Sequence, residues 1–518
     1  MPLFTEYLAR CHLLLQEGVP VADVLWYLGD DLDHKPRQDT PFPQGWTFNY
    51  LNHDALINRL SVSEGSLRTP EGLSWRLIWL APGQCRRLTP TTLERLLALL
   101  QEGATVIGPP PEVNASLTDG VAGDARFAHA INAIWGDKAA ASGDRRVGKG
   151  RILWGSDLAA SLSKLDIQPD VIGAKSASWC HRKTADSDIY FIAADRVQPL
   201  RANLRFRAKG TPELWDPLTG HRQVMPVSAG SGQHTTVPLE LDAAGSVFVV
   251  FRHERSTNAA SYTSVRHDDA VWLDAADTSR TDQGEPYPNF GLRATDVVQP
   301  WIDPAPPTAE FRTVGGQPQF LAWRDGTYVF RRGNEVAASI RVEGSREESL
   351  ISGWSLAFPH GWDAPAQQPL PSVGPWSELS EPATRAFSGT ATYTRLLNTG
   401  ETAPGDSIML DLGRVENIAQ VRVNGRLVST RWSPPYRFDL TTYLTGREDR
   451  LEVSVTNTWR NRLAYDATLA ENERRTWTIN APPANAPLVP AGIIGPVLLR
   501  WGRTSPMPVA EKPSGKPL

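Results

Sequence analysis

Glu213 and Asp216, three apart in "PELWDPLTG", are the carboxylates of this chain most open to general acid–base chemistry. Cleaving a glycosidic bond needs one carboxyl group to donate a proton and a second to act as nucleophile or base. The two stand about 5–5.5 Å apart in retaining enzymes and ~6.5–9.5 Å apart in inverting ones. On a strand, an offset of three sends side chains to opposite faces, so only a turn at Asp216-Pro217 could bring this pair together. Asp before Pro more commonly makes an Asx turn, its carboxylate capping nearby N–H groups, and the sequence contains no convincing catalytic dyad. Other nucleophiles are as sparse. GxSxG and P-loop patterns are missing. Cys85 follows the apolar run "RLIWLAP" but is succeeded by Arg86-Arg87-Leu88 rather than by a helix, so it reads as an incidental loop thiol. His129 and His181 have no chain-local partner and read as structural.

Metal patterns are equally thin. None of the ten histidines has another at helical i,i+4 spacing, and there is no HExxH. Asp30, Asp31 and Asp33 in "GDDLDH" could ligate calcium, but an EF-hand would need Gly and Glu at fixed offsets, and a solvated acidic loop is the simpler reading. No cofactor is evident.

The densest polar–aromatic cluster is "VTNTWRNRLAYD", with Asn457, Trp459, Arg460, Asn461, Arg462 and Asp466. A polyol needs donors and acceptors for its hydroxyls and an apolar platform for its C–H face. Trp432, Tyr436, Asn457, Trp459, Asn461, Arg462 and Asp466 are therefore the candidate carbohydrate-binding residues. The structural alternative is that Asn461 and Arg462 tie a strand end to a neighbouring loop, and that Trp432 and Tyr436 do the same for theirs.

Two kinds of element must position these groups. Residues 1–195 alternate strand and helix: "VADVLWYL", "RLIWLAP", "ATVIG", "GRILWG" and "DIYFIAAD" are buried-strand runs. Between them, Thr89 as N-cap, Pro90 in the first turn and Gly103 as stop bound one helix, and further helices are expected near 124–136 and 156–164. This rhythm implies a doubly wound parallel sheet, flavodoxin-like or amidotransferase-like in outline. After residue 196 the helical signals give way to short alternating runs. "VRVNGRLV" is the clearest, because Asn424-Gly425 between alternating runs suits a tight hairpin whose turn residues take positive φ. Several such runs over 386–501 read as an antiparallel β-sandwich.

Composition sets the outer bounds. A chain of 518 residues exceeds one core, and 41% hydrophobic with 21% charged residues describes an ordinary globular protein of three or four domains. A net charge of −4 spread evenly offers no footprint for nucleic acid or an anionic membrane, and no apolar run reaches the ~20 residues of a membrane span. Cys11, Cys85 and Cys180 lie too far apart for a metal motif and read as buried thiols. The first 18 residues read as an amphipathic helix, without the basic start of a signal peptide. Eighteen Trp residues are an excess that either β-sandwich cores or sugar stacking would explain.

In order along the chain, "YLARCHLLLQEGVPVADVLWYLGDD", "PFPQGWTFNYLNHDAL", "GATVIGPPPEVNASL", "DIYFIAAD" and "GTPELWDPLTG" resemble glycoside hydrolase family 106, the α-L-rhamnosidases. "ISGWSLAFP", "FSGTATY", "LDLGRV", "RVNGRLV", "WSPPYRFDLT", "VTNTWRNRL" and "GIIGPV" continue the likeness, and galactosidase-type enzymes share similar accessory domains. The resemblance implies an N-terminal catalytic barrel that this chain lacks, with residues 1–18 as its last helix or a remnant of it. No family catalytic residue can be carried onto a position here. It also implies a rhamnose-containing oligo- or polysaccharide as substrate, calcium as possible in the parent enzyme, and export of that parent to the periplasm or medium. "RLAYD" departs from the family's "RLIGD"-like form at Ala464 and Tyr465, so no role is carried onto Asp466 from the resemblance.

The expected architecture is multidomain. A flavodoxin-like α/β domain spans 1–195, a small β domain 196–255, a linker plus β-sandwich 256–345, a galactose-binding-like jelly roll 346–504, and a disordered tail 505–518. The expected role is the C-terminal accessory portion of an α-L-rhamnosidase-like enzyme. The alternative is a stand-alone carbohydrate-binding or structural protein without catalysis.

Overall fold

The structure, a computed structural model, describes residues 2–30, 42–118, 120–136, 141–196, 198–253, 262–284, 306–362 and 364–508. It is a multidomain, mostly β protein built on several sheets. Asp31 and Asp33 of the acidic loop lie outside the described residues, as do much of the expected linker and the last ten residues of the expected tail.

Five parallel strands form the N-terminal sheet in the order Phe48–Leu51, Val24–Tyr27, Leu77–Trp79, Thr105–Ile107, Gly150–Trp154, and Gly143–Val147 adds an antiparallel edge. In sequence numbering that is 2-1-3-4-5, a doubly wound order. Strict alternation clothes both faces. Leu25, Tyr27, Ile78, Val106 and Ile152 meet the helices Pro90–Glu102 and Gly120–Trp135 through Leu96, Leu100 and Ile134. Val24, Trp26, Leu77, Trp79 and Leu153 meet Leu158 and Leu162 of the helix Leu158–Lys164. The caps are those anticipated: Thr89 Oγ1 accepts the Thr92 N–H at 3.3 Å, Pro90 opens the helix, and Gly103 stops it at φ +125°.

"DIYFIAAD" does not close this series. Its strand, Ser187–Ala193, pairs antiparallel with Ser178–Lys183 and Ser246–Arg252 in a separate six-stranded sheet. A second sheet of Val171–Ile172, Leu200–Phe206, His234–Leu241 and Ala229–Ser231 faces it across a shared core that includes Tyr190, Phe206, Val237 and Phe251. A continuous apolar run suits a strand buried on both faces in either setting, and only its partners tell parallel from antiparallel. The other face of the six-stranded sheet carries the N-terminal helix Pro2–Gln16, whose Cys11, Leu14 and Leu15 pack on Ile189, Phe248 and Val250. Leu8, on the same amphipathic helix, remains 37% exposed.

The C-terminal sandwich stacks two six-stranded sheets. One runs Gln367–Leu370, Trp354–Ala357, Thr390–Leu397, Asp449–Thr456, Ile418–Val423, Arg426–Arg431. The other is built on Leu498–Pro506, with Asp406–Asp411 and Arg437–Asp439 on one side and the hairpin Ala309–Val314/Gln317–Ala322 on the other. That hairpin lies in the segment expected to form its own sandwich, yet its strand bonds go to the C-terminal sheet. Ser505 and Pro506, expected in the tail, end its central strand. The Asn424-Gly425 hairpin forms with both residues at positive φ, +51° and +76°. No described helix is long and apolar enough to cross a membrane.

Candidate carbohydrate-binding site

The cluster singled out in the sequence sits on the short helix Arg460–Asp466, which follows the strand Asp449–Thr456. Asn461, Arg462 and Asp466 are almost completely buried. The Asn461 side chain brackets one residue of a distant segment: Nδ2 donates to Val489 O and Oδ1 accepts the Val489 N–H, both at 2.8 Å. Asp466 Oδ2 accepts from the Arg475 N–H (3.0 Å), the Thr476 N–H (2.7 Å) and the Thr476 hydroxyl (2.6 Å). Arg462 Nη2 stands 2.8 Å from Asp466 Oδ1, off the N–H axis, as an ion pair rather than an aligned hydrogen bond. The guanidinium carbon lies 5.6 Å from the Trp362 ring centroid and 5.4 Å from that of Tyr465. Burial alone would raise the Asp466 carboxyl, but the Thr476 hydrogen bonds and the Arg462 charge outweigh it and hold it below the usual carboxylate range. These residues therefore brace the long connection from 467 to 491 at both ends.

The other candidates separate in the same way. Asn457 Oδ1 accepts the Gly389 N–H at 2.8 Å, and its Nδ2 donates to Phe387 O at 3.0 Å. Tyr436 is buried and donates its hydroxyl to Asn417 O at 2.5 Å. Trp432 packs edge-on against Phe4 and Tyr7 of the N-terminal helix, centroids 5.4 and 5.8 Å apart. Of the seven, Trp459 alone combines an open ring, 55% exposed, with a position beside another indole: Trp362 meets it edge-on at 6.0 Å. Trp362 and the 84%-exposed Trp477, in the braced connection, escaped the sequence reading. Their signal was available, as aromatic residues within polar, Pro-rich loops.

The carboxylate pair does not assemble. Glu213 Oε2 accepts the Trp215 indole N–H at 2.8 Å, and Arg252 Nε lies 3.5 Å from Oε1. Asp216 makes the anticipated Asx turn, accepting from the Leu218 N–H at 2.8 Å and the Thr219 hydroxyl at 2.6 Å. Cys85 is buried, with Sγ 3.7 Å from Tyr27 O. Asp30 accepts the Thr89 N–H (2.6 Å) and the Thr92 hydroxyl (2.9 Å), and among the described residues no cluster of three His, Cys, Asp or Glu could hold a metal.

His181, read from the sequence as lacking a chain-local partner, has two carboxylates, 11 and 7 residues away along the chain. Its Nδ1 is 2.9 Å from Asp170 Oδ2 and its Nε2 3.0 Å from Asp188 Oδ1. Burial works against the imidazolium, but the two carboxylates prevail and raise its pKa. Asp170 also accepts from Tyr190 at 2.9 Å, and Arg207, 3.6 Å from Asp170, reaches Asp23 at 3.0 Å. The network joins the start of the first parallel strand to the middle sandwich; it is a structural joint.

Comparison with known proteins bears on the whole assembly. Residues 1–228 match the family model Glyco_hydro_106, described as alpha-L-rhamnosidase. A curated protein of Formosa agariphila named "Putative beta-glucuronidase" is 23% identical over 90% of this chain and 52% of its own length. The rhamnosidase of Novosphingobium sp. PP1Y superposes with a TM-score of 0.71 at 29% identity, over 96% of this chain and 41% of that one. The chain thus spans about half the length of the curated relative and less of the rhamnosidase. Along residues 1–228 the chain carries the sequence pattern of the glycoside hydrolase family 106 alpha-L-rhamnosidases, and along nearly its whole length it has the fold of part of a rhamnosidase.

Proposed function

We propose that this chain is the accessory portion of an α-L-rhamnosidase-like glycoside hydrolase acting on terminal α-L-rhamnosyl linkages, the catalytic acid and base lying in a barrel outside it. The observation that carries the reading is the lopsided overlap with the rhamnosidase, 96% of this chain against 41% of that one. Consistent with it, Glu213, Asp216 and Asp466 are each held by turn, indole or backbone donors rather than facing one another across a cleft. The 2-1-3-4-5 strand order supports a flavodoxin-like N-terminal domain, and the two stacked antiparallel sheets support a jelly-roll-like C-terminal one. In this reading the sandwiches brace the catalytic part, and any calcium requirement belongs to the remainder.

A second reading, a stand-alone carbohydrate-binding protein, draws on the open Trp459 ring beside Trp362. Two measurements test the pair. The purified chain is expected to leave an aryl α-L-rhamnoside intact; turnover that vanishes in Glu213→Gln would overturn the accessory reading. Coding sequence adjacent to this chain is expected to specify a (β/α)₈ barrel, and its absence there would favour the second reading.

A further inference from the structure

A cleft of about 770 Å³ opens between the N-terminal helix, the turn at 217–221 and the exposed face of the C-terminal sheet built on Leu498–Pro506. That volume falls within the ~300–1,000 Å³ of small-ligand sites. Its floor is rich in hydroxyls: Ser407 and Thr504, 3.0 Å apart, with Thr442 and Ser505 beside them. Hydroxyls both donate and accept, which matches a polyol.

The charges in its walls are paired, with one exception. Arg10 meets Glu6 at 3.1 Å, Arg312 meets Asp439 at 2.9 Å, and Asp406 meets Arg503. Arg431 donates to Ser429 Oγ at 2.7 Å and to Thr430 O at 3.2 Å, and its guanidinium carbon lies 5.5 Å from the Phe438 ring. Among the described residues no carboxylate stands within ion-pair distance of it; the acid whose charge reaches it, Asp216, is engaged in its own turn. A half-buried cation without a counter-ion is poorly compensated, and an anion arriving in the cleft would supply the missing charge.

We propose that this cleft binds an anionic oligosaccharide, whose carboxylate or sulfate pairs with Arg431 and whose hydroxyls meet the Ser407–Thr504 floor. The inference rests on the carbohydrate reading above but not on its rhamnosyl specificity. Calorimetric titration of the full chain at low salt with trigalacturonate, a sulfated galactan oligosaccharide and maltotriose tests it. At least one anionic probe should bind about tenfold or more tighter than maltotriose, the strength of a charge-assisted contact, and should weaken as salt is added. The other anionic probe identifies the substituent preferred. Arg431→Gln should abolish the preference and Arg431→Lys retain part of it. Thr442→Asp, at an exposed position, should repel both anions with the thermal unfolding curve unchanged, which guards against a misfolded Arg431 variant. Equal binding of maltotriose, failure of both anions to bind, or anion binding unchanged in Arg431→Gln or Thr442→Asp would overturn the proposal. None of the probes carries rhamnose, so such a failure leaves the rhamnosidase reading to its own test.

Discussion

Replacing Asp466 by alanine should unfasten the connection from 467 to 491 and destabilise the C-terminal sandwich by about 3–5 kcal/mol, the usual cost of stranding one partner of a buried ion pair. The geometry makes Arg462 the main contributor. Its side chain is 3% exposed and meets its counter-ion on Asp466 at 2.8 Å, so losing that carboxylate leaves a cation in the protein interior. The Arg475 and Thr476 amides also lose their acceptor, but once the connection opens they reach water, which limits their share. Asp466→Asn keeps an acceptor for Thr476 but still strands the Arg462 charge, so it should cost only somewhat less than Asp466→Ala. Arg462→Met combined with Asp466→Leu removes both charges and should recover most of the loss.

Urea denaturation followed by Trp fluorescence measures the cost, and hydrogen exchange at the Thr476 amide reports whether the connection has opened. A cost below about 1 kcal/mol for Asp466→Ala, or single-variant costs that simply add in the double variant, would refute the reasoning. The pH dependence has a definite sign. The folded-state carboxyl is depressed, so its contribution is present above the unfolded pKa and is lost as pH falls through the folded value. Wild-type protein should therefore show acid-induced opening at Thr476 below about pH 4, a limb that Asp466→Asn lacks.

Three further outcomes are expected. His181 has a raised folded pKa, so its contribution is present below about pH 6.5 and lost as pH rises through the folded value. Stability should fall over that rise in wild type and much less in His181→Gln, while His253, raised by its hydrogen bond to Asp188, adds a smaller slope of the same sign; equal pH profiles would dismiss the joint. Asn461→Ala leaves the Val489 N–H and C=O without their partners and should cost about 1–3 kcal/mol in urea, with faster proteolysis near residue 489. Trp459→Ala should change stability by no more than about 0.5 kcal/mol and abolish any sugar-dependent fluorescence change; a larger stability loss would make Trp459 a packing residue.

Local signals carried far in this chain. Thr89, Pro90 and Gly103 marked a helix and Asn424-Gly425 a hairpin because each acts on its own backbone. The alternation of Val24 through Tyr27 was readable as a strand with both faces covered, since its neighbours on either side are all apolar. What failed was assigning partners. Ser187–Ala193 is as apolar as the parallel strands, and the hydrogen bonds that place it elsewhere come from residues 178–183 and 246–252. The hairpin Ala309–Val314/Gln317–Ala322 likewise owes its sheet to a strand nearly two hundred residues later.

The same limit explains the candidate site. Side-chain type tells what a residue can donate or accept, and a run such as "WRNRLAYD" therefore looks equally suited to a polyol and to its own chain. The difference lies in partners from 388, 475–476 and 489: Asn461 and Asp466 Oδ2 hold the backbone of the connection, the Arg462 backbone N–H reaches Ser388, and the Arg462 guanidinium pairs with Asp466. Arg431 is the converse. Nothing in "STRWSPPY" distinguishes it, and it matters because, among the described residues, the walls drawn from residues 3–10, 218–221, 312–319 and 504–506 place no carboxylate within ion-pair distance of it. Buried polar groups held mainly by the chain's own backbone argue for architecture, and a half-buried charge without a counter-ion argues for a ligand. On that criterion the chemistry open to this chain moves from the short helix at 460–466, where the sequence displays it, to the cleft beside Arg431.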